Sequence, residues 1–96
     1  MYYAIKRTNI TTSSVLIDFG AINVSIITVY ANSGNSSDVY IDWNGGMAVV
    51  PAANVAGNYC LASGQTITLD IRGMKRNKIS IIAESGTQTV SILAIQ

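Results

Sequence analysis

Between Asn58 and Ile95 the chain reads as short runs of alternating apolar and polar residues, broken by the Ser-Gly pairs Ser63-Gly64 and Ser85-Gly86. This is the feature that most limits the fold. A side-chain period of two places Ile67, Leu69 and Ile71 on one face of an extended segment, with Thr66, Thr68, Asp70 and Arg72 on the other. Helical periodicity appears nowhere in this run. Glycine after serine supplies the positive φ that tight turns need.

The same reading extends toward the N-terminus. Val15 to Phe19 is a short strand ending at Gly20. Ile22 to Tyr30 is rich in β-branched residues and apolar on both faces, which predicts a central strand. Ala31 to Ser37 (ANSGNSS) is a loop by composition. Asp38 to Trp43 alternates, with Val39, Ile41 and Trp43 on one face and Asp38, Tyr40 and Asp42 on the other. Asn44-Gly45-Gly46 predicts a tight hairpin turn returning as a partner strand over Met47 to Val50, halted by Pro51. Asn58 to Leu61 is a brief strand. Lys78 to Glu84 and Thr87 to Ile95 are expected to form a terminal hairpin about Ser85-Gly86. Met1 to Ile10 reads as an N-terminal arm or edge strand. The expectation is all-β: an antiparallel β-sandwich, jelly-roll-like or Ig-like, of about 8–9 short strands. Residues 1–12 would be the arm and 13–96 the single domain.

Ninety-six residues, about half of them apolar, suffice for one core. With one cysteine the chain has no internal disulfide, and with no histidine it lacks the commonest general base and metal ligand. Cys60 reads as a small buried hydrophobe. Charged residues make up only 11% and the formal charge is +1, so a strong field toward nucleic acid or membrane is not expected. No signal-peptide pattern or transmembrane segment is evident.

Candidate sites are few. Asp38 and Asp42 share a face but stand over ~13 Å apart on one strand, too far to act together. Asn44-Gly45-Gly46 lacks the lysine and helix of a phosphate loop. Ser13 and Ser14 have no activating base. Four of the six positive charges, Arg72, Lys75, Arg76 and Lys78, cluster in or beside a loop that reads as a solvated hairpin loop or as a grip on an acidic partner subunit, phosphate or, least of all for want of interleaved aromatics, nucleic acid. Tyr2, Tyr3, Lys6 and Arg7 in the arm are the other candidate contacts. Trp43, Tyr40, Tyr30 and Tyr59 could form a sugar-stacking platform, with Tyr40, Trp43 and Tyr59 its leading members, although Trp43 shares its face with core residues. No catalytic, cofactor or metal site is expected, and the chain reads as non-enzymatic.

The segments Ser36 to Trp43, Leu61 to Leu69 and Ile81 to Val90 carry a further pattern: a loop leading to DVYI, a turn of the form L-x-x-G-x-x-x-x-L, and I-x-A-x-S-G-T-x-x-V. Over roughly Ile22 to Gln96 the chain resembles small β-sandwich virion proteins of tailed bacteriophages. The resemblance implies a virion protein made in the host cytoplasm. It would be a capsid decoration or cement protein that assembles as a homo-oligomer and contacts the major capsid protein or other virion proteins. The alternative it implies is a tail or fibre module that binds a host receptor or glycan. It assigns no functional residue.

Overall fold

The computed structural model describes residues 3–20, 24–43, 46–51, 59–72 and 78–95, with the backbone alone for 3–7. The described residues form eight strands: β1 (Tyr3–Ile10), β2 (Val15–Asp18), β3 (Ile26–Ala31), β4 (Val39–Asp42), β5 (Tyr59–Leu61), β6 (Thr66–Asp70), β7 (Lys78–Ala83) and β8 (Gln88–Ile95). They make two four-stranded sheets, ordered β1-β8-β3-β6 and β2-β7-β4-β5. Every pairing is antiparallel. Of the strands consecutive in sequence, only β4 and β5 pair; every other connection crosses between sheets. That interleaving is the jelly-roll order rather than the immunoglobulin one.

Alternation explains the core. Along β8 buried and half-buried residues alternate without a break, and Val90, Ile92 and Ala94 point inward. Ile27, Val29 and Ala31 of β3 do the same. Against them lie Ile17, Ile79, Ile81, Ala83, Val39, Ile41 and Leu61 of the second sheet, with Phe19, Val24 and Ile71 closing the edges. Burying each large aliphatic side chain contributes about 1.5–3 kcal/mol, the main term opposing chain entropy. β3 is central, between β8 and β6, as its apolar composition predicts. The Ile22 end of the expected strand lies outside the described residues.

Two expected hairpins are absent. β7 and β8 flank Ser85-Gly86 but belong to different sheets, so this turn is a corner between layers. Ser63-Gly64, between β5 and β6, is a corner too. There Gln65 N–H donates to the Ala62 carbonyl at 3.0 Å, and Gly64 takes φ 81, as the third residue of a type II turn requires. Met47 to Val50 is not a strand, and β4 pairs instead with β5 and β7. Asn44 and Gly45, the expected turn, lie outside the described residues.

The Met47–Val50 segment crosses the outer side of the second sheet. Ala48 N–H donates to Ser80 Oγ of β7 at 2.8 Å, and both residues are buried. Serine suits this outward position because its hydroxyl anchors a backbone that makes no ladder of its own.

One end of the sandwich is closed by side chains that substitute for backbone. Asn35 Nδ2 donates to the Thr89 carbonyl at 3.0 Å, and Thr89 N–H donates to Asn35 Oδ1 at 2.8 Å. Gln88, fully buried, accepts from Ser36 N–H at 2.8 Å and donates to Ser36 Oγ at 3.2 Å and the Ser85 carbonyl at 2.8 Å. These bonds tie the β3–β4 loop to the β7–β8 corner.

Candidate functional site

The basic cluster is partly neutralised within the chain. Arg72, just past β6, donates from Nε and Nη2 to the two carboxylate oxygens of Asp70 at 3.0 and 2.6 Å. Asp70 is held below the usual carboxylate range by these bonds, and Arg72 is raised by the same partner. Both are well exposed, so the pair organises charge more than it stabilises the fold. Lys78 Nζ lies 4.0 Å from Asp18 Oδ2 across the β2–β7 pair. Lys75 and Arg76 lie outside the described residues.

The arm residues sit elsewhere. β1 pairs with β8 along its whole length, so Tyr3, Lys6 and Arg7 oppose Ile95, Ile92 and Ser91 in the register. β1 and β6 are opposite edges of one sheet, about 14 Å apart at the usual strand spacing. The backbone of the arm and Arg72 therefore lie at opposite edges of that sheet. Tyr2 lies outside the described residues.

The aromatic platform is also divided. Tyr40 is only 8% exposed, opposite Cys60 and Ile82 in the register. Burial first, and then the neighbouring Cys60, raise its phenol pKa. Trp43 packs against the core, as its strand face predicts, and meets Tyr59 edge to face at 6.4 Å. Only Tyr59 of the three is well exposed.

Cys60 is exposed, contrary to its expected burial. It lies on β5, an edge strand, and pairs with Tyr40 on the outer face. Its Sγ donates to Asp38 Oδ2 at 3.4 Å. Partial burial, then Asp38, push its thiol pKa up, which works against a reactive thiolate. Asp38 and Asp42 join no group of three metal-binding side chains among the described residues.

Two further surfaces emerge, of which the sequence pointed only to Tyr30. The first is apolar. Leu16 opposes Ser80 on the outer side of the second sheet, and Ser80 holds Ala48. Met47 and Val49 therefore flank this point, with Val50 next along the chain. Leu16 is 51% exposed, Met47 56%, Val49 52% and Val50 40%. An apolar cluster left in water on a small domain marks a contact surface. Its signal was present in Met47 to Val50, which is apolar without alternation, a poor pattern for a half-buried strand.

The second is a polar cleft of about 280 Å³ at the closed end of the sandwich, lined by Tyr30, Asn32, Ser33, Gly34, Asn35, Thr87 and Thr89. A separate apolar trough of about 180 Å³ shares Tyr30 with it and is lined also by Thr28, Ser91, Ile92 and Leu93.

Among the described residues no helix is long and apolar enough to cross a membrane. No family model matches the chain, and no curated protein and no solved structure is found to match it.

Proposed function

We propose that this chain is a non-enzymatic structural protein of a bacteriophage virion that decorates the capsid and cements neighbouring subunits, acting as a homo-oligomer. The observation that carries the reading is the exposure of Leu16, Met47, Val49 and Val50, which the Ala48–Ser80 bond and the Leu16–Ser80 pairing bring to the outer side of the second sheet, in a chain with only 11% charged residues. The jelly-roll order adds support, being a recurrent architecture of viral capsid proteins, although a fold alone does not decide function. So does the likeness of Ser36–Trp43, Leu61–Leu69 and Ile81–Val90 to phage virion proteins.

In this reading the apolar cluster meets the major capsid protein or a second copy, and the basic residues around Arg72 and Lys78 set orientation at the rim. Binding only the assembled shell stabilises it by mass action, about 2.7 kcal/mol per site at a hundredfold excess over Kd. Nothing in this role needs an activated nucleophile or a cofactor.

The test is co-sedimentation with empty capsids of the parent phage, alongside capsid melting. The wild type should co-sediment and raise the melting temperature, while Leu16→Asp with Met47→Asp should do neither yet remain folded. Absence of wild-type binding would sink the reading.

The second reading, a tail or fibre module for a host receptor or glycan, loses its three-ring platform because Tyr40 is buried. The polar cleft at Tyr30 is the observation that favours glycan binding.

A further inference from the structure

We propose that the cleft at the closed end of the sandwich is a binding site for a neutral saccharide, with Tyr30 as the stacking surface and Asn32, Ser33 and Thr87 as hydrogen-bonding groups. The site differs from the apolar cluster and from the Trp43–Tyr59 pair, and it stands whether or not the chain docks on a capsid.

The lining chemistry selects the ligand. Among the described residues the cleft walls carry two amides, one aromatic ring and four hydroxyls, the Tyr30 phenol included, and none of these lining residues is charged. Amides and hydroxyls both donate and accept, which suits the dense, mixed donors and acceptors of a pyranose. An aromatic ring beside them suits the apolar face of the same sugar. An anion would meet no counter-charge among the described lining residues, and a purely apolar ligand would strand the polar walls. The volume of about 280 Å³ lies just below the ~300–1,000 Å³ of drug-sized sites, room for one or two rings.

The walls are also fixed in advance. Asn35 is locked by its two bonds to the Thr89 backbone, and Asn35 N–H donates to the Asn32 carbonyl at 3.0 Å. Ser63 Oγ donates to the Ser33 carbonyl at 2.9 Å, bracing the loop from the β5–β6 corner. Gln88 holds Ser36 from beneath. A loop ordered by the protein itself costs less to order on binding.

Asn32 is the exception. Its Oδ1 is buried with no hydrogen-bond partner, an uncommon state for a buried amide oxygen. Turning this amide toward the cleft lets a sugar hydroxyl supply the missing donor. Asn32 is thus the polar group with most to gain from occupancy. Tyr30 adjoins both the polar cleft and the apolar trough of Thr28, Ile92 and Leu93. A ring stacked on it can therefore continue into a second, less polar unit.

The experiment is a ¹H–¹⁵N titration of the whole chain with the methyl glycosides of glucose, galactose, mannose, N-acetylglucosamine and rhamnose. Concentrations run to about 50 mM, since a single ring is expected to bind on the order of mM. At least one sugar should give saturable shifts centred on the amides of Asn32 to Asn35 and Thr87 to Thr89. Tyr30→Ala should weaken it about tenfold. Asn32→Ala, whose lost side chain holds no part of the corner, should weaken it several-fold while the spectrum stays folded. Tyr59→Ala should leave it unchanged. No saturable shift with any of the five would overturn the proposal. So would shifts centred on Trp43 and Tyr59, or methyl glucuronide binding more tightly than methyl glucoside.

Discussion

Gln88 offers the sharpest test of how the sandwich end is held. It is 2% exposed yet polar, and three hydrogen bonds consume its amide: one from Ser36 N–H, one to Ser36 Oγ and one to the Ser85 carbonyl. Gln88→Met keeps the length of the side chain and removes all three. At about 0.5–1.5 kcal/mol net each, the loss is ~1.5–4.5 kcal/mol. Ser36 and Ser85 are exposed and regain water, which favours the lower half of that range. Methionine returns about 1 kcal/mol through its own burial. The expected net destabilisation is ~2 kcal/mol, a fall in Tm of about 8–16 °C for a domain this small. Thermal melts by circular dichroism measure it, with urea titration as a check. Gln88→Glu adds a sign. Burial and the Ser85 carbonyl raise its carboxyl above the unfolded value of ~4.3. The deficit is then largest above the folded pKa and shrinks as pH falls toward the unfolded one. A Gln88→Met variant within about 0.5 kcal/mol of wild type would refute the reasoning and assign the corner's order to strand pairing alone.

Other substitutions probe separate parts of the argument. Ser80→Ala strips the acceptor from Ala48 N–H in a buried setting and should cost ~1–3 kcal/mol. Hydrogen exchange at Ala48 should accelerate selectively, and an amide still slow to exchange would contradict the anchoring role. Gly64→Ala meets only Ser33 Cβ, at 4.0 Å, but forces alanine to φ 81, so ~1–2 kcal/mol of conformational cost is expected in a denaturant titration. Gly34→Ala, in open space with no positive φ, is the contrasting control and should be close to neutral. Asp38→Asn removes the carboxylate that helps hold the Cys60 thiol pKa up. Iodoacetamide should then alkylate Cys60 several-fold faster at pH 8, and an unchanged rate would show that burial alone sets the shift.

How much of this fold the sequence discloses depends on the range of the interaction. Alternation is local, so the inward set Val90, Ile92 and Ala94 of β8 and the inward Leu69 of β6 are readable residue by residue. Partner choice is not local. Ser85-Gly86 reverses the chain equally well into a hairpin or across to the other sheet, and the four residues between Ala83 and Gln88 fit either course. The clue was Gln88, a polar residue on the inward phase of its strand, which a simple hairpin would not need. Met47 to Val50 misled for a related reason. Its apolar run was read as a partner strand, yet only the small Ala48 is buried, because a backbone hydrogen bond to Ser80 fixes the segment's phase.

The sites were less legible than the fold, and for a definite reason. Charge and ring counting favoured Arg72 and Tyr40, but Arg72 is partly neutralised by Asp70 and Tyr40 is buried opposite Cys60. The residues left facing outward are those whose neighbours in sequence do the structural work. In the β3–β4 loop Asn35 and Ser36 are bound by β8, which leaves the side chains of Asn32 and Ser33, whose backbones alone are tied, lining the cleft. Stability and binding at this corner are therefore separable. Gln88→Met should lower Tm and blur the cleft together, whereas Asn32→Ala should empty the cleft of affinity and leave Tm nearly unchanged. A variant pair that loses both properties in parallel would mean the loop is held by Asn32 after all, in conflict with the absence of any hydrogen bond to its Oδ1.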